Sequence, residues 1–189
     1  MPTRPAVRVA LRPPTAADAP AFLAAVKTSR RLHGQWVQAP STPAQFRAYL
    51  QRYASREAAA THAGLLAVRK EDGALVGVFN FSNIVRGPFR NAYLGYYAFA
   101  PQAGQGYMTE AFALALDLAY AKLGLHRVEA NVQPTNRRSI ALVARVGFAR
   151  EGCSRRYIKI AGRWRDHVRY AMLAEDWRAI KRRFKGARR

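Results

Sequence analysis

Cysteine is almost absent from this sequence, with Cys153 the single example among 189 residues. One thiol excludes an internal disulfide and any metal site that needs several cysteines, and the histidines show no metal-ligand spacing. No apolar run approaches the roughly 20 residues of a membrane-spanning helix. The first residues also lack the apolar core of a signal peptide. These absences predict a cytoplasmic protein that carries no metal.

Acidic residues are also scarce. The 32 Lys and Arg residues outnumber the 11 Asp and Glu residues, which gives a net charge of +21. Residues 150–189 alone hold 14 basic and four acidic side chains, and we expect residues 179–189 to form a basic tail behind a domain of residues 1–178. Such a balance favours phosphate-bearing partners, but an arginine-rich solvated surface would give the same counts.

The hydrophobic pattern predicts one mixed α/β domain, and the chain is long enough to bury a single core. Strands are predicted at Val7–Arg12, His62–Arg69, Ala74–Phe81, Asn91–Ala100, Arg127–Val132, Phe148–Ile160 and Arg163–Leu173. Helices are predicted at Ala16–Leu32, roughly Pro40–Arg56, Tyr107–Leu123, Asn136–Val146 and Glu175–Phe184. Helices thus lie between strands along most of the chain.

Two glycines, Gly104 and Gly106, stand at the entrance of the third predicted helix in the segment QAGQGYMTE. Glycine lowers stability unless the backbone needs a positive φ or something must approach it closely. The first amides of a helix lack intrahelical partners and attract anions, so the segment could cradle a pyrophosphate. It is neither a P-loop nor a complete dinucleotide fingerprint. Taken alone, the segment leaves a phosphate site and a plain turn both open.

A second segment favours the phosphate site. Residues 131–136 (NVQPTN) end a predicted strand and start a helix, Ser139 follows, and Gly147 and Phe148 come after that helix. This order resembles the GCN5-related N-acetyltransferase (GNAT) superfamily, whose members use acetyl-coenzyme A. In that superfamily a strand, a glycine turn and a helix hold the pyrophosphate, and an Asn-x-x-Ser helix start follows one strand later.

Four further segments narrow the resemblance to one branch. The segments similar to ribosomal-protein-alanine N-acetyltransferases are Gly77–Gly87 (GVFNFSNIVRG), Tyr93–Tyr96 (YLGY), Gly106–Met108 with Glu110 and Ala111, and Arg163–Val168 (RWRDHV). The resemblance covers nearly the whole chain and is weakest at residues 30–60 and after 178. It implies a single-domain α/β fold with a mixed, mostly antiparallel sheet of about seven strands. Helices would flank the sheet, which would be splayed between its fourth and fifth strands.

The resemblance also implies where acetyl-CoA binds. The pantetheine would lie in the splay and pair with the main chain of the fourth strand, whose aromatic residues we expect to serve mainly in packing. Ala103 stands where the superfamily usually has Arg or Gln, which leaves the main-chain amides to hold the pyrophosphate. The expected cofactor-binding residues are Phe99, Ala100, Ala103, Gly104, Gln105, Gly106, Tyr107, Met108, Thr109, Asn136 and Arg145.

The resemblance implies that an amine attacks the thioester of acetyl-CoA, and the leaving thiolate then needs an acid. Ser139 is the candidate acid that the resemblance implies; the alternative is that Ser139 only caps a helix. Glu129 is a candidate base, although a strand carboxylate among many arginines is more often ion-paired. Tyr107 and Tyr157 are alternative acids. Asp166 and His167 are weaker base candidates that would more simply order a turn.

The predicted function is acetyl transfer from acetyl-CoA to a protein N-terminal α-amine, in particular the N-terminal alanine of a ribosomal protein, without an acyl-enzyme. An α-amine has a pKa near 8 and lysine one near 10.4, so an N-terminal substrate needs only a modest base, and water could serve. Alternatives are a small-molecule amine as acceptor, or a non-catalytic RNA-associated protein of the same fold. The basic C-terminal region could contact ribosomal RNA.

Overall fold

The computed structural model describes residues 7–186, which form seven strands and seven helices. The strands are β1 Val9–Arg12, β2 Ala63–Arg69, β3 Leu75–Val85, β4 Asn91–Ala98, β5 Arg127–Val132, β6 Ala149–Ile160 and β7 Arg163–Leu173. The helices are α1 Ala19–Thr28, α2 Arg30–His33, α3 Pro43–Gln51, α4 Arg56–Thr61, α5 Tyr107–Ala121, α6 Arg137–Val146 and α7 Ala174–Gly186. The last three residues of the predicted basic tail lie outside the described residues.

The seven strands form one sheet in the order β1-β2-β3-β4-β5-β7-β6. Every neighbouring pair is antiparallel except β4 and β5, which run parallel and pair only from Asn91 opposite Arg127 to Tyr93 opposite Glu129. Beyond Tyr93 the two strands separate, and we call this opening the split. The predicted fold, a mixed sheet splayed between its fourth and fifth strands, is therefore confirmed.

Each face of the sheet packs against its own helices. On one face, α5 and α6 cover a core that includes Phe79, Phe112 and Val143. On the other face, α1 and α3 cover a smaller core that includes Phe22 and Phe46. Because successive side chains of a strand point to opposite faces, β4 and β5 supply residues to both sides of the split.

The long helix predicted at residues 16–32 is broken in the structure. A 3₁₀ turn at Ala16–Asp18 precedes α1, and α1 and α2 meet at Ser29. Ser29 is fully buried, and its Oγ accepts a hydrogen bond of 2.8 Å from the Ala100 amide. This contact fixes the break against the end of β4, and the local sequence pattern carries no sign of so distant a partner.

The second predicted helix also divides. Thr42 caps α3 by accepting a hydrogen bond from the Gln45 amide, and α3 ends at Gln51. Ser55 caps a separate short helix, α4, through the Ala58 amide at 3.0 Å. A Ser or Thr cap marks the start of a helix, so Ser55 in the sequence indicates that a separate helix begins there.

No helix among residues 7–186 has the length and apolarity to span a membrane.

Candidate active site

A cavity of about 380 Å³, which we call the α6 cavity, opens at the wide end of the split. Its wall combines α2 and the loop after it, the end of β4, and the start of α6. Arg31, Arg137 and Arg138 line it, and none of its lining residues is acidic. The cavity therefore suits a polyanionic ligand on charge alone.

The glycine turn forms the beginning of α5 as predicted. Gly104 and Gly106 have φ values of +80° and +83°, a region that other residues rarely adopt. A Cβ placed on Gly104 would meet no heavy atom within 4 Å, so the space above this turn is open. The first helical hydrogen bond runs from the Thr109 amide to the Gly106 carbonyl oxygen at 3.0 Å. The amides of Tyr107 and Met108 precede that bond and are the ones available to an anion.

Arg8, the residue just before β1, holds this turn in place. Its Nε donates to Glu110 Oε1 at 2.7 Å, and its terminal nitrogen donates to the Gln105 carbonyl oxygen at 3.0 Å. Its guanidinium also lies 4.3 Å from the centre of the Tyr107 ring. The Glu110 carboxylate is thereby turned to β1, and Tyr107 is buried under an arginine. Arg8 could not be recognised from the sequence, because its contact with Glu110 joins residues 102 positions apart and leaves no local pattern.

The main chain at the end of β4 is already partly engaged. The Phe99 amide donates to the Val76 carbonyl oxygen at 2.8 Å, which turns Phe99 toward β3. Neighbouring residues of a strand turn their main-chain groups the other way, so Ala98 and Ala100 face the split. His33 Nε2 donates to the Ala98 carbonyl oxygen at 2.9 Å, and Ser29 Oγ accepts a hydrogen bond from the Ala100 amide. The amides predicted to pair with pantetheine are thus both used within the protein.

Ser139 and Tyr96 meet where β4 and β5 part. The Tyr96 hydroxyl lies 2.6 Å from Ser139 Oγ, and the Asn136 side chain caps α6 by accepting the Ser139 amide at 3.2 Å. Burial raises the pKa of Tyr96 well above its usual range, against the opposing effect of the Ser139 hydrogen bond. Both hydroxyls therefore keep their protons at neutral pH. Tyr96, which the sequence assigned to packing, is in addition a hydrogen-bond partner of the candidate acid.

Two more cavities continue the split past Ser139. The inner cavity, of about 200 Å³, is lined by Ser139 and Tyr96 together with Gly95, Asn131 and His167. The outer cavity, of about 360 Å³, shares Gly95 and Asn131 and reaches Glu129 and Tyr157. Ser139 and Tyr96 line both the α6 cavity and the inner cavity. Two ligands that enter from opposite sides would meet at these hydroxyls.

Glu129 is buried, at 4 % exposure, and is held by two arginines. Arg127 Nε donates to it at 3.0 Å and an Arg169 terminal nitrogen donates at 3.4 Å. Arg127 also pairs with Glu151. The structure thus places Glu129 beside the outer cavity but in an ion-pair network. To act as a base, Glu129 would have to give up its hydrogen bond with Arg127 or Arg169 and accept one from the acceptor amine instead.

The remaining candidate acids and bases, Asp166, Tyr157 and His167, lie in three different surroundings. Asp166 accepts the Arg156 amide at 2.7 Å and orders the β6–β7 hairpin, as its turn interpretation predicted. Tyr157 donates to the Tyr93 hydroxyl at 3.3 Å, and burial raises the pKa of Tyr157 to about 12. His167 is buried at 3 % exposure on the wall of the inner cavity, a position that its sequence neighbourhood did not reveal.

Nine of the eleven predicted cofactor-binding residues lie outside the lining of the α6 cavity. Arg145 is exposed in the last turn of α6, about two turns beyond Arg138. Ala103 and Gln105 serve the turn itself, since the Ala103 amide donates to the Ala100 carbonyl oxygen and the Gln105 side chain donates to Pro101. Thr109 is engaged in the first helical hydrogen bond. Met108 and Asn136 do line the α6 cavity.

The α6 cavity fits acetyl-CoA on two observations besides charge. The Tyr97 hydroxyl, whose ring lines the cavity, is buried and has no hydrogen-bond partner among the described residues. Tyr96 and Ala98 turn main-chain groups to the split. The Ala98 carbonyl oxygen already binds His33, which leaves the Tyr96 main chain and the Ala98 amide to pair with an extended ligand. Arg137, Arg138 and Arg31 would meet phosphates.

Among residues 7–186, no group of three potential metal-ligand side chains lies together.

Comparison with known proteins gives a consistent result. The family described as "Acetyltransferase (GNAT) domain" matches residues 8–149. A [ribosomal protein uS5]-alanine N-acetyltransferase from Escherichia coli (strain K12) is 43% identical over 107 residues, 57% of this chain and 55% of that protein. The chain thus aligns with about half the length of this curated relative.

Two solved structures share the fold. The Mycobacterium smegmatis RimJ in complex with CoA-disulfide has a TM-score of 0.80 and 30% identity, over 89% of this chain and 83% of that one. A ribosomal-protein-S5-alanine acetyltransferase from Vibrio fischeri has a TM-score of 0.78 and 25% identity, over 90% of this chain and 95% of that one.

Proposed function

Because the chain belongs to the GNAT acetyltransferase family and is an acyltransferase, we propose that it transfers acetyl from acetyl-CoA to the N-terminal α-amine of a protein. We propose the N-terminal alanine of a ribosomal protein as the acceptor, as for the curated relative. The observation that carries this proposal is the Ser139–Tyr96 pair, 2.6 Å apart, on the shared wall of the α6 and inner cavities.

The cosubstrate would supply an activated thioester, and the protein's task is to position it and to handle two protons. The α6 cavity and the Gly104–Gly106 turn would hold its phosphates. Ser139 Oγ would donate a proton to the departing sulfur. Tyr96 holds the Ser139 hydroxyl in place and can pass on a proton in turn, because both groups are protonated at neutral pH. A general acid of this kind contributes roughly 10²–10⁴-fold to a rate.

The acceptor side favours an α-amine over a polyamine. Glu129 lines the outer cavity and is already paired with Arg127 and Arg169. The residues that line the inner cavity include no acid. A polyamine carries several positive charges and would find no free carboxylate on this lining. Leu94 and Ile160 make part of the inner cavity apolar, and its volume of about 200 Å³ suits a small first side chain such as that of alanine.

The test is mass spectrometry of peptides after incubation with the protein and acetyl-CoA. One peptide begins with a free alanine, and a matched control carries a blocked N-terminus and an internal lysine. We expect one acetyl group on the free peptide alone. Acetylation of spermidine in place of both peptides would contradict the α-amine proposal, and thermal stabilisation by acetyl-CoA without any product would contradict catalysis.

We also propose that the β6–β7 hairpin contacts ribosomal RNA in the cytoplasm. Trp164 is 60 % exposed and stands between Arg163 and Arg165, and an aromatic ring among arginines suits base stacking and phosphate binding. Co-sedimentation with ribosomes should fall steeply with salt and weaken about tenfold for Trp164→Ala. Equal co-sedimentation of the variant and the wild type would remove the hairpin from the contact.

A further inference from the structure

His167 carries an imidazole nitrogen that the protein leaves free, on the wall of the inner cavity. Its Nδ1 lies 3.0 Å from the carbonyl oxygen of Arg165. A carbonyl oxygen can only accept a hydrogen bond, so Nδ1 carries the hydrogen. In the neutral ring the lone pair is then on Nε2. Within residues 7–186, Nε2 makes no hydrogen bond to the protein.

The surroundings of His167 keep the ring neutral. Burial lowers the pKa of His167 below its ordinary value, while the Arg165 carbonyl and the nearby Asp166 act in the opposite direction. The Tyr157 ring meets the imidazole at 5.9 Å between centroids. Arg169 lies two residues further along β7 on the same face of the strand. At neutral pH the ring therefore offers a lone pair rather than a charge.

The carboxylates near the split are committed elsewhere. Glu129 is paired with Arg127 and Arg169, and Asp166 accepts the Arg156 amide. The inner cavity instead brings His167, on β7, to the same small space as Ser139, on α6. With about 200 Å³ between its walls, the cavity holds an amine, its first side chain and a water or two, since one water takes about 30 Å³.

We propose that His167 is the general base for the acceptor amine in this enzyme. Nε2 accepts the amine proton, directly or through one water, as the nitrogen–carbon bond forms and the carbon–sulfur bond breaks. The sulfur takes a proton from Ser139 Oγ, so one proton leaves nitrogen and one reaches sulfur. The imidazolium later returns its proton through solvent to the serine oxygen. The inference rests on the proposed acetyl transfer to an amine and names the residue that starts it.

The test compares His167→Gln and His167→Ala with the wild type on the free alanine peptide. We expect His167→Gln to lower kcat about 100-fold at pH 7, with CoA affinity unchanged within about threefold. His126→Gln is the matched control, because His126 pairs with Glu175 far from the split, and its kcat should stay within about twofold. Circular dichroism of each variant checks that the fold is kept.

Two readouts separate a base from a structural residue. In the wild type, kcat/KM should fall as the pH falls through the lowered pKa of His167, because the protonated ring cannot accept the amine proton. This limb should vanish in His167→Gln. In His167→Ala, added imidazole should restore activity at least tenfold, by filling the space that the side chain left.

The outcomes keep the two proposals apart. If the wild type acetylates spermidine and no peptide, the α-amine function fails, and the His167 comparison is made on spermidine. A His167→Gln enzyme within fivefold of the wild type at pH 7 would overturn the base assignment. So would a large loss of kcat with neither a changed pH profile nor imidazole rescue. A wild type that transfers acetyl to no amine would overturn both.

Discussion

Ser139 and Glu129 flank the same split and are held in opposite ways. Ser139 stands at the start of α6, half-buried, with a neutral hydroxyl as its partner and a cavity on either side. Glu129 lies on β5, 4 % exposed, between two guanidinium groups. The serine can exchange its hydrogen bond for one to a ligand at little cost, because a hydrogen bond between neutral groups contributes only about 1 kcal/mol net.

The difference shows what a polar side chain near a cavity needs in order to react. Breaking a buried ion pair leaves an unpaired charge and costs roughly 3–5 kcal/mol. Freeing the Glu129 carboxylate from its arginines therefore costs more free energy than freeing the Ser139 hydroxyl from Tyr96. Its ion pairs connect β5 to β7 through Arg169, and Arg127 extends them to β6 through Glu151. Glu129 therefore holds three strands together beside the outer cavity, whereas Ser139 is free to act.

The largest expected effect is that of Ser139→Ala. We expect kcat for the alanine peptide to fall about 100-fold, because the departing sulfur loses its proton donor. CoA binding, measured by isothermal calorimetry, should weaken by less than about threefold, since the phosphates are held elsewhere. A variant with wild-type kcat would show that the Ser139 hydroxyl does not protonate the sulfur and only bonds to Tyr96.

A smaller effect is expected for Tyr96→Phe, which serves as the matched change on the partner hydroxyl. The ring and its packing against Phe112 at 4.7 Å between centroids remain, and only the bond to Ser139 Oγ is lost. We expect kcat to fall about tenfold, in line with the loss of one hydrogen bond of roughly 1.4 kcal/mol. A loss as large as that of Ser139→Ala would make Tyr96 the proton donor.

The smallest effect on rate is expected for Glu129→Gln. Its kcat should stay within about threefold of the wild type. The free energy of unfolding should fall by about 2 kcal/mol, less than for a fully buried pair, because Arg127 keeps Glu151 and Arg169 is partly exposed. Urea unfolding and the peptide assay on the same preparation provide both numbers. A 100-fold loss of kcat with unchanged stability would reverse the comparison and make Glu129 the base.

Local patterns in the sequence were sufficient for most elements and for the glycine turn. β5 and β7 have the predicted bounds, since alternating apolar residues between turn signals define a strand directly. Gly104 and Gly106 adopt the positive φ that two glycines before a helix indicate. The division of residues 16–32 at Ser29 and the role of Arg8 were not predicted, because each depends on a partner about 70 or more residues away.

The amino-acid sequence by itself determined the order of strands and helices, the α5 entrance and the Asn136–Ser139 start of α6, because caps, glycine turns and hydrophobic periods act within a few residues. Only the tertiary structure decided which polar groups meet. Tyr96 lies next to Ser139, Glu129 lies between two arginines, and His167 reaches the inner cavity because β4 and β5 separate after Tyr93. Such contacts depend on sheet pairing between distant segments, and sequence spacing carries no record of that distance.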